Sequence, residues 1–308
     1  MAGFTSPGLV LASNKAIMEA QRGIAFAKYF STDFSAELQS VGKTVAVPVF
    51  SGNATVYSEQ AGSVNNYETT DGSIIPVDVS LSKIVKVTYK LGQTDLLEVN
   101  KSATSRNCGI AAGRAIGRKL EELVMGNLTY TNAKAAVASF AYNKIGKALA
   151  TAEKNDMDPA TCVVILNPDV YGDLLDANVN NAAIQGDNIA DALGRKYGCK
   201  AILCSAKVAA AISSSTSTGG CGFIVPDSAI AIAGRGIEQA VDGMYSEYGT
   251  TTDEASGLTV TAFVHGSRAT NTRYMNVACL LGSKLTREVD SSSVANGAPG
   301  YIQLKTSS

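Results

Sequence analysis

Residues 102–126, SATSRNCGIAAGRAIGRKLEELVMG, decide how the rest of the chain is read. Cys108, Ala112, Ile116, Leu120 and Leu123 recur at steps of four and three, the repeat of one face of an α-helix. Ser102 or Thr104 is placed to cap its start, and Gly126-Asn127 to stop it. Gly109, Gly113 and Gly117 stand four apart and line a bare groove along one side. Each glycine costs a helix about 1 kcal/mol relative to alanine, so three at this spacing predict close approach by another backbone. Lys101, Arg106, Arg114, Arg118 and Lys119 arrive with no acid before Glu121. Small-residue grooves also occur in membrane helices, but Arg106, Arg114, Arg118 and Lys119 exclude that reading. The stretch is a long, half-exposed helix with one face packed and another positively charged.

Immediately upstream lies a stretch of opposite character. Residues 44–50, TVAVPVF, read as a strand that Pro48 confines to an edge or a bend. A polar run with Gly52, Gly62 and Gly72 as turn points follows. Val77, Val79 and Leu81, then Val85, Val87 and Tyr89, keep period two and read as strand. Together these make an extended β-hairpin over residues 47–90, with too few large apolar side chains near its tip to stand alone. Its charges are sorted. Residues 47–82 hold no Lys or Arg, only Glu59, Glu68, Asp71 and Asp78. Residues 83–119 hold Lys83, Lys86, Lys90, Lys101, Arg106, Arg114, Arg118 and Lys119 against Asp95 and Glu98. Charge runs are usually solvated faces, yet separation by sign over this length suits docking between molecules.

Further out, residues 1–46 are a loosely patterned arm, with helical spacing between Ala16 and Phe30 and little apolar surface. Such an arm must dock on its own body or on a neighbour. Downstream, residues 143–155 are a second amphipathic helix ended by Asp158-Pro159, and residues 162–166 a short buried strand. Asn167-Pro168-Asp169 then starts a helix, with Asn as cap, Pro at the first position and Asp at the positive dipole end. Strands are expected at 199–204, at 222–225 paired with 229–233, at 258–264 and at 274–281, with a polar, mobile tail from residue 290.

The 308 residues carry 17% charged side chains, against about 25% in ordinary soluble domains. So sparsely charged a surface favours being covered by partners. The formal net charge of −1 does not suggest a general binder of nucleic acid or acidic membranes. No secretory leader opens the sequence, and no apolar run reaches the ~18 residues needed to span a bilayer, so a cytosolic start is expected. The six cysteines are scattered with no C-x-x-C, and read as small buried hydrophobes.

The inventory for catalysis is poor. Gly42-Lys43-Thr44 resembles the end of a P-loop, but the position of its first glycine holds Glu37. Gly234-Arg235-Gly236 lacks the third glycine of a dinucleotide fingerprint, where Gln239 stands. His265, the sole histidine, rules out zinc sites with two imidazoles and has no G-x-S-x-G elbow to serve. Catalytic, cofactor-binding and metal residues are therefore not expected.

The order of elements, the wording ILNPDVYGDLL from Ile165, and a closing strand followed by LTREV resemble the major capsid protein of tailed bacteriophages. Herpesvirus capsid floors and encapsulin shells share that fold. The resemblance implies an α+β chain with an N-terminal arm (1–46), an E-loop hairpin (47–90) and a P-domain (91–158 and 257–289) carrying the spine helix 102–126. It further implies an α/β A-domain (159–256) and a C-terminal tail (290–308). Subunits would form pentamers and hexamers of an icosahedral shell enclosing double-stranded DNA without sequence-specific binding, assembled in the bacterial host cytoplasm. No membrane is involved. Partners would be further copies, a portal protein, an optional decoration protein, and a scaffolding protein, expected to be separate because no long charged segment precedes the arm.

Each E-loop would lie across the adjacent subunit's spine and P-domain. Glu59, Glu68, Asp71 or Asp78 of one copy would then face Lys83, Lys86, Lys90, Arg106, Arg114, Arg118 or Lys119 of the next, beside the close-packing groove of Gly109, Gly113 and Gly117. Some relatives weld their shells through an E-loop lysine; residues 47–82 offer none, so no such cross-link is expected. An encapsulin-like compartment is the alternative within the same fold. A cytosolic α/β enzyme with an unrecognised site, or a tail tube or decoration protein, are the alternatives outside it.

Overall fold

A computed structural model describes residues 4–5, 7–19, 28–30, 44–51, 73–81, 83–91, 98–129, 133, 135–155, 157–178, 189–208, 219–237, 247–253, 257–267, 272–286 and 300–306. The chain divides into two compact units. The first comprises Met1–Val45, Val79–Asn127 and Ile230–Lys284; the second comprises Ala46–Asp78, Leu128–Ala229 and Leu285–Ser308.

The first unit is a sheet backed by two helices. Its strands are β1 (Phe4–Thr5), β4 (Lys83–Leu91), β9 (Ile230–Arg235), β10 (Glu247–Thr252), β11 (Thr259–Ser267) and β12 (Thr272–Leu285). They run in the order β1-β10-β11-β12-β4, with β9 also paired to β12. The helices are α1 (Pro7–Glu19) and α2 (Glu98–Gly126). α1 packs against β10 and β11, and α2 against β4. Register fixes which side chains meet the helices. Val85 is opposite Cys279, Val87 opposite Val277 and Tyr89 opposite Met275. Burial and the neighbouring Cys108 of α2 raise the Tyr89 hydroxyl, which places this face against the helix.

α2 is 29 residues long, and its buried apolar row is Cys108, Ala112, Ile116, Leu120 and Val124. Leu123, expected on that row, is only half-buried; the step of four runs on to Val124 instead. In the arm a helix forms over Pro7–Glu19, and residues 20–27 of the stretch with helical spacing lie outside the described residues. Pro7 at its first position, where a missing N–H costs nothing, sets the start.

In the second unit, β5 (Ala135–Val137), β6 (Cys162–Leu166), β7 (Ala201–Cys204), β8 (Gly220–Pro226) and β13 (Ile302–Lys305) form a mixed sheet in the order β5-β13-β8-β6-β7. Its helices are α3 (Ile145–Glu153), α4 (Pro168–Asp176) and α5 (Ile189–Tyr197). Leu149, Leu174 and Leu193 of these helices share a core with Val164, Ile202, Ile224, Ile302 and Leu304 of the strands. The Asn-Pro-Asp start forms as the residue types dictate: Asn167 Oδ1 accepts from the Val170 N–H at 3.0 Å, and Pro168 opens α4.

Three expectations give way here. β8 and β9, read as a pair, lie in different sheets. Pro226 ends β8 and a 3₁₀ turn, Asp227–Ala229, separates it from β9. The same finding places β9 and β10 in the six-stranded sheet, although the sequence reading grouped them with the α/β insertion. The tail expected to be mobile contains β13, set between β5 and β8, with Ile302 and Leu304 fully buried. Alternation of apolar residues in Tyr301-Ile302-Gln303-Leu304 is short, but it suffices for a strand with partners on both sides. Residues 287–299 and 307–308 lie outside the described residues.

The hairpin ladder is a separate two-stranded sheet of β2 (Thr44–Ser51) and β3 (Ser73–Ser80). β4, which the sequence joins to it through Leu81-Ser82, belongs instead to the six-stranded sheet.

Candidate subunit interface

The groove on α2 is filled. α1 lies along it, and a Cβ added at Gly109 would stand 2.4 Å from the Ala12 carbonyl oxygen. One added at Gly113 would stand 2.2 Å from the Ala16 carbonyl oxygen and 2.8 Å from Glu19 Cβ. Ala12 and Ala16 are themselves fully buried, so the contact is small residue on small residue at matching four-residue steps. Gly117 is buried as well. The partner that the three glycines predict is, for the first two, the chain's own α1.

The candidate cations do not form one surface. Lys83, Lys86 and Lys90 are exposed on β4, and Arg106, Arg114 and Arg118 on α2, with Lys119 half-buried. Lys86 and Lys90 share the face of β4 turned away from Val85, Val87 and Tyr89, and those three side chains face α2. The β4 lysines on that face and the α2 cations therefore lie on opposite sides of the sheet. On α2, Arg114 Nε approaches Glu19 Oε2 at 3.4 Å and Lys119 Nζ approaches Glu122 Oε1 at 2.6 Å. Exposed pairs of this kind are each worth about 0–1 kcal/mol, but they do occupy the cation. Among the acids, Asp78 is exposed on β3; Glu59, Glu68 and Asp71 lie outside the described residues.

Charge counting missed what accompanies Lys86 and Lys90. Ile84 shares their face and is 66% exposed, an apolar side chain at the edge of a sheet. Opposite this row on β12 stand Leu280, Ala278, Asn276 and Tyr274, none of them charged. A polar chain crosses the same face. The Thr88 hydroxyl donates to Asn276 Oδ1 at 2.7 Å, and Asn276 Nδ2 lies 2.8 Å from His265 Nδ1. His265 stacks on Tyr274 with ring centroids 5.5 Å apart. The single histidine is thus held by a neighbouring amide and a ring. No sequence periodicity signals this chain, because its members meet only through strand register.

Burial raises the thiols of Cys162, Cys199, Cys221 and Cys279 to about 12, with the neighbouring Cys199 adding to the effect at Cys162. Among the described residues, no three metal-ligating side chains cluster and no helix is long and apolar enough to cross a membrane.

No family model matches the chain, and no curated protein does. Solved structures do. The capsid of Ralstonia phage GP4 superposes with a TM-score of 0.53 at 12% identity, covering 88% of this chain and 85% of that one. A structure from Mycobacterium phage Che8 does so with a TM-score of 0.50 at 14% identity, covering 92% of each. The chain has a phage capsid fold. The likeness covers 88% of this chain and so takes in elements of both compact units. Identity this low leaves residue roles to be argued from this chain's own geometry.

Proposed function

We propose that this chain is the major capsid protein of a tailed bacteriophage, a structural protein that self-assembles into the icosahedral shell around a double-stranded DNA genome. The observation that carries the reading is the capsid fold spanning nearly the entire chain. The low charged fraction and the hairpin strands β2 and β3, paired in a two-stranded sheet, support it. Copies associate as pentamers and hexamers, and the acidic hairpin of one subunit docks on the basic spine and P-domain of its neighbour. A scaffolding protein, a portal protein and an optional decoration protein complete the particle, which assembles in the host cytoplasm. With a net charge of −1, the shell contains its genome rather than gripping it.

Electron microscopy of the expressed protein, alone and with its flanking genes, tests this. Closed shells of uniform size holding DNA support it. Shells packed with a cargo protein instead of DNA point to an encapsulin-like compartment, and no assembly under any of these conditions refutes the reading. Residues 47–82 contain no lysine, so boiled shells should run as a single band near 31.8 kDa; a ladder of covalent oligomers would contradict this.

A further inference from the structure

We infer that His265, Asn276 and Thr88 form a proton-driven switch: when His265 takes up a proton the Asn276 amide turns over, and the exposed Thr88 hydroxyl reverses from donor to acceptor. All three residues belong to the first compact unit.

Strand register assembles the three groups. Asn276 on β12 lies opposite Phe263 on β11 and Thr88 on β4, and His265, two residues beyond Phe263, shares that face. Asn276 is 1% exposed, so both ends of its amide need partners within the protein. The oxygen is committed: the Thr88 hydroxyl donates to Oδ1 at 2.7 Å. That turns Nδ2, which can only donate, toward His265 Nδ1 at 2.8 Å. A bond forms there when Nδ1 is the bare nitrogen, so the ring is neutral with its proton on Nε2. Protonation puts an N–H on Nδ1, facing the N–H of the amide. Two donors then oppose each other around a buried side chain.

A half-turn about χ2 of Asn276 removes the conflict. The two ends of an amide are alike in size and the torsion is two-fold, so no neighbour has to move. Oδ1 then accepts from Nδ1–H, and Nδ2 donates to Thr88 Oγ1, which as a hydroxyl can accept as well as donate. Every group is satisfied in both states, and this makes the chain of contacts a two-state element. The proton that Thr88 no longer gives inward is turned outward. Thr88 is exposed on β4 between Lys86 and Lys90, so the acid state adds a hydrogen-bond donor to that strip and a positive charge on the same face of the sheet.

The groups facing the imidazole carry no negative charge. Tyr274 stacks on it at 5.5 Å and Phe263 lies at 6.2 Å between centroids. Tyr248 stands beyond Phe263 on β10, and Lys90 beyond Tyr274 on β4. Glu247 and Arg273 pair with Val264 and Gly266 and therefore belong to the other face. Among the described residues of β4, β10, β11 and β12, no carboxylate shares the face of His265. Proton uptake at the ring thus has no nearby acid to answer it, and the amide is the group that responds.

His265 is the sole histidine, so the full chain labelled with 13C,15N-histidine gives one pair of ring-nitrogen signals. Magic-angle-spinning NMR of sedimented protein follows them from about pH 8 to about pH 5, the range in which imidazoles change charge. At the upper end Nδ1 is bare and Nε2 carries the proton; at the lower end both nitrogens carry one. The Asn276 side-chain amide protons lie against the ring at the upper end and against Thr88 at the lower, and ring and amide share one midpoint. Forms in which ring and amide disagree stay below roughly a tenth of the total. A proton on Nδ1 at the upper end, a ring that stays neutral throughout, or an amide that keeps one orientation while the ring charges each overturns the switch. In Asn276→Asp both side-chain oxygens accept, so Nδ1 keeps its proton across the range without any turnover; a bare Nδ1 in that variant overturns it as well. The missing amide signals of that variant also assign Asn276. Should it fail to fold, Met275-Asn276 is the only Met-Asn step in the chain, so pairwise labelling assigns the residue in wild type, whose spectra decide the matter alone.

Discussion

Substituting Gly113 with alanine isolates the contact between the arm and the long helix. By helix propensity alone the change stabilises α2 by about 1 kcal/mol. The new methyl would lie 2.2 Å from the Ala16 carbonyl oxygen and 2.8 Å from Glu19 Cβ. Ordinary contact needs roughly 3.4 Å, so α1 must retreat by about 1 Å along its whole line of contact or leave. Overpacking of this kind costs about 1–3 kcal/mol, and retreat also weakens the Glu19–Arg114 pair and the burial of Ala12 and Ala16. The net expectation is a loss of up to about 2 kcal/mol. Gly126 provides the internal control, since a Cβ there meets nothing within 4 Å; alanine at that position keeps its propensity gain. Urea unfolding of the dissociated subunit should order the three proteins as G126A, wild type, G113A. Limited proteolysis should release the N-terminal segment earliest from G113A. A G113A protein at least as stable as wild type, with its N-terminal segment equally protected, would refute the close contact on which this reasoning rests.

Ending the chain at Pro299 removes β13 from between β5 and β8, exposing the two strands it pairs; the truncated protein should be insoluble, whereas a soluble one would mean the segment is dispensable. Asn167→Ala deletes the side-chain cap of α4 and should cost about 1 kcal/mol by urea titration. Cys162, Cys199, Cys221 and Cys279 keep their protons to about 12 in the fold, whereas an unfolded thiol ionises near 9.0. Burial of the neutral thiols therefore stabilises the fold fully below pH 9, and that contribution is lost as pH rises toward 12. Alkaline unfolding followed by circular dichroism should set in within that window, and a thiol reagent at pH 7.5 should leave these four unmodified.

The long helix was legible because periodicity and glycine spacing both survive in a linear string: Cys108 through Leu120 mark one face, and Gly109 and Gly113 demand a neighbour. What covers the groove was not, since Ala12 and Ala16 carry no apolar signal strong enough to mark α1. Alternation identified the strands around Val79 and Val87, but period two says nothing about which sheet a strand joins. The break at Leu81-Ser82 therefore went unread, as did the passage from β8 to β9 through Asp227–Ala229. The C-terminal strand was masked by the polar run before it. Charge was counted correctly and placed incompletely: the sequence lists Lys86 beside Arg114 without revealing that they lie on opposite sides of one sheet, and Ile84 enters only once its exposure is known. Asn276 and His265 meet through register, which no local pattern encodes.

Analytical ultracentrifugation over a wide concentration range puts the self-assembling subunit to the most direct trial. The account predicts that material well above 31.8 kDa, as rings or closed shells, grows with protein concentration and falls with added salt. A single species at the mass of one chain, unchanged at every concentration and ionic strength, would contradict it.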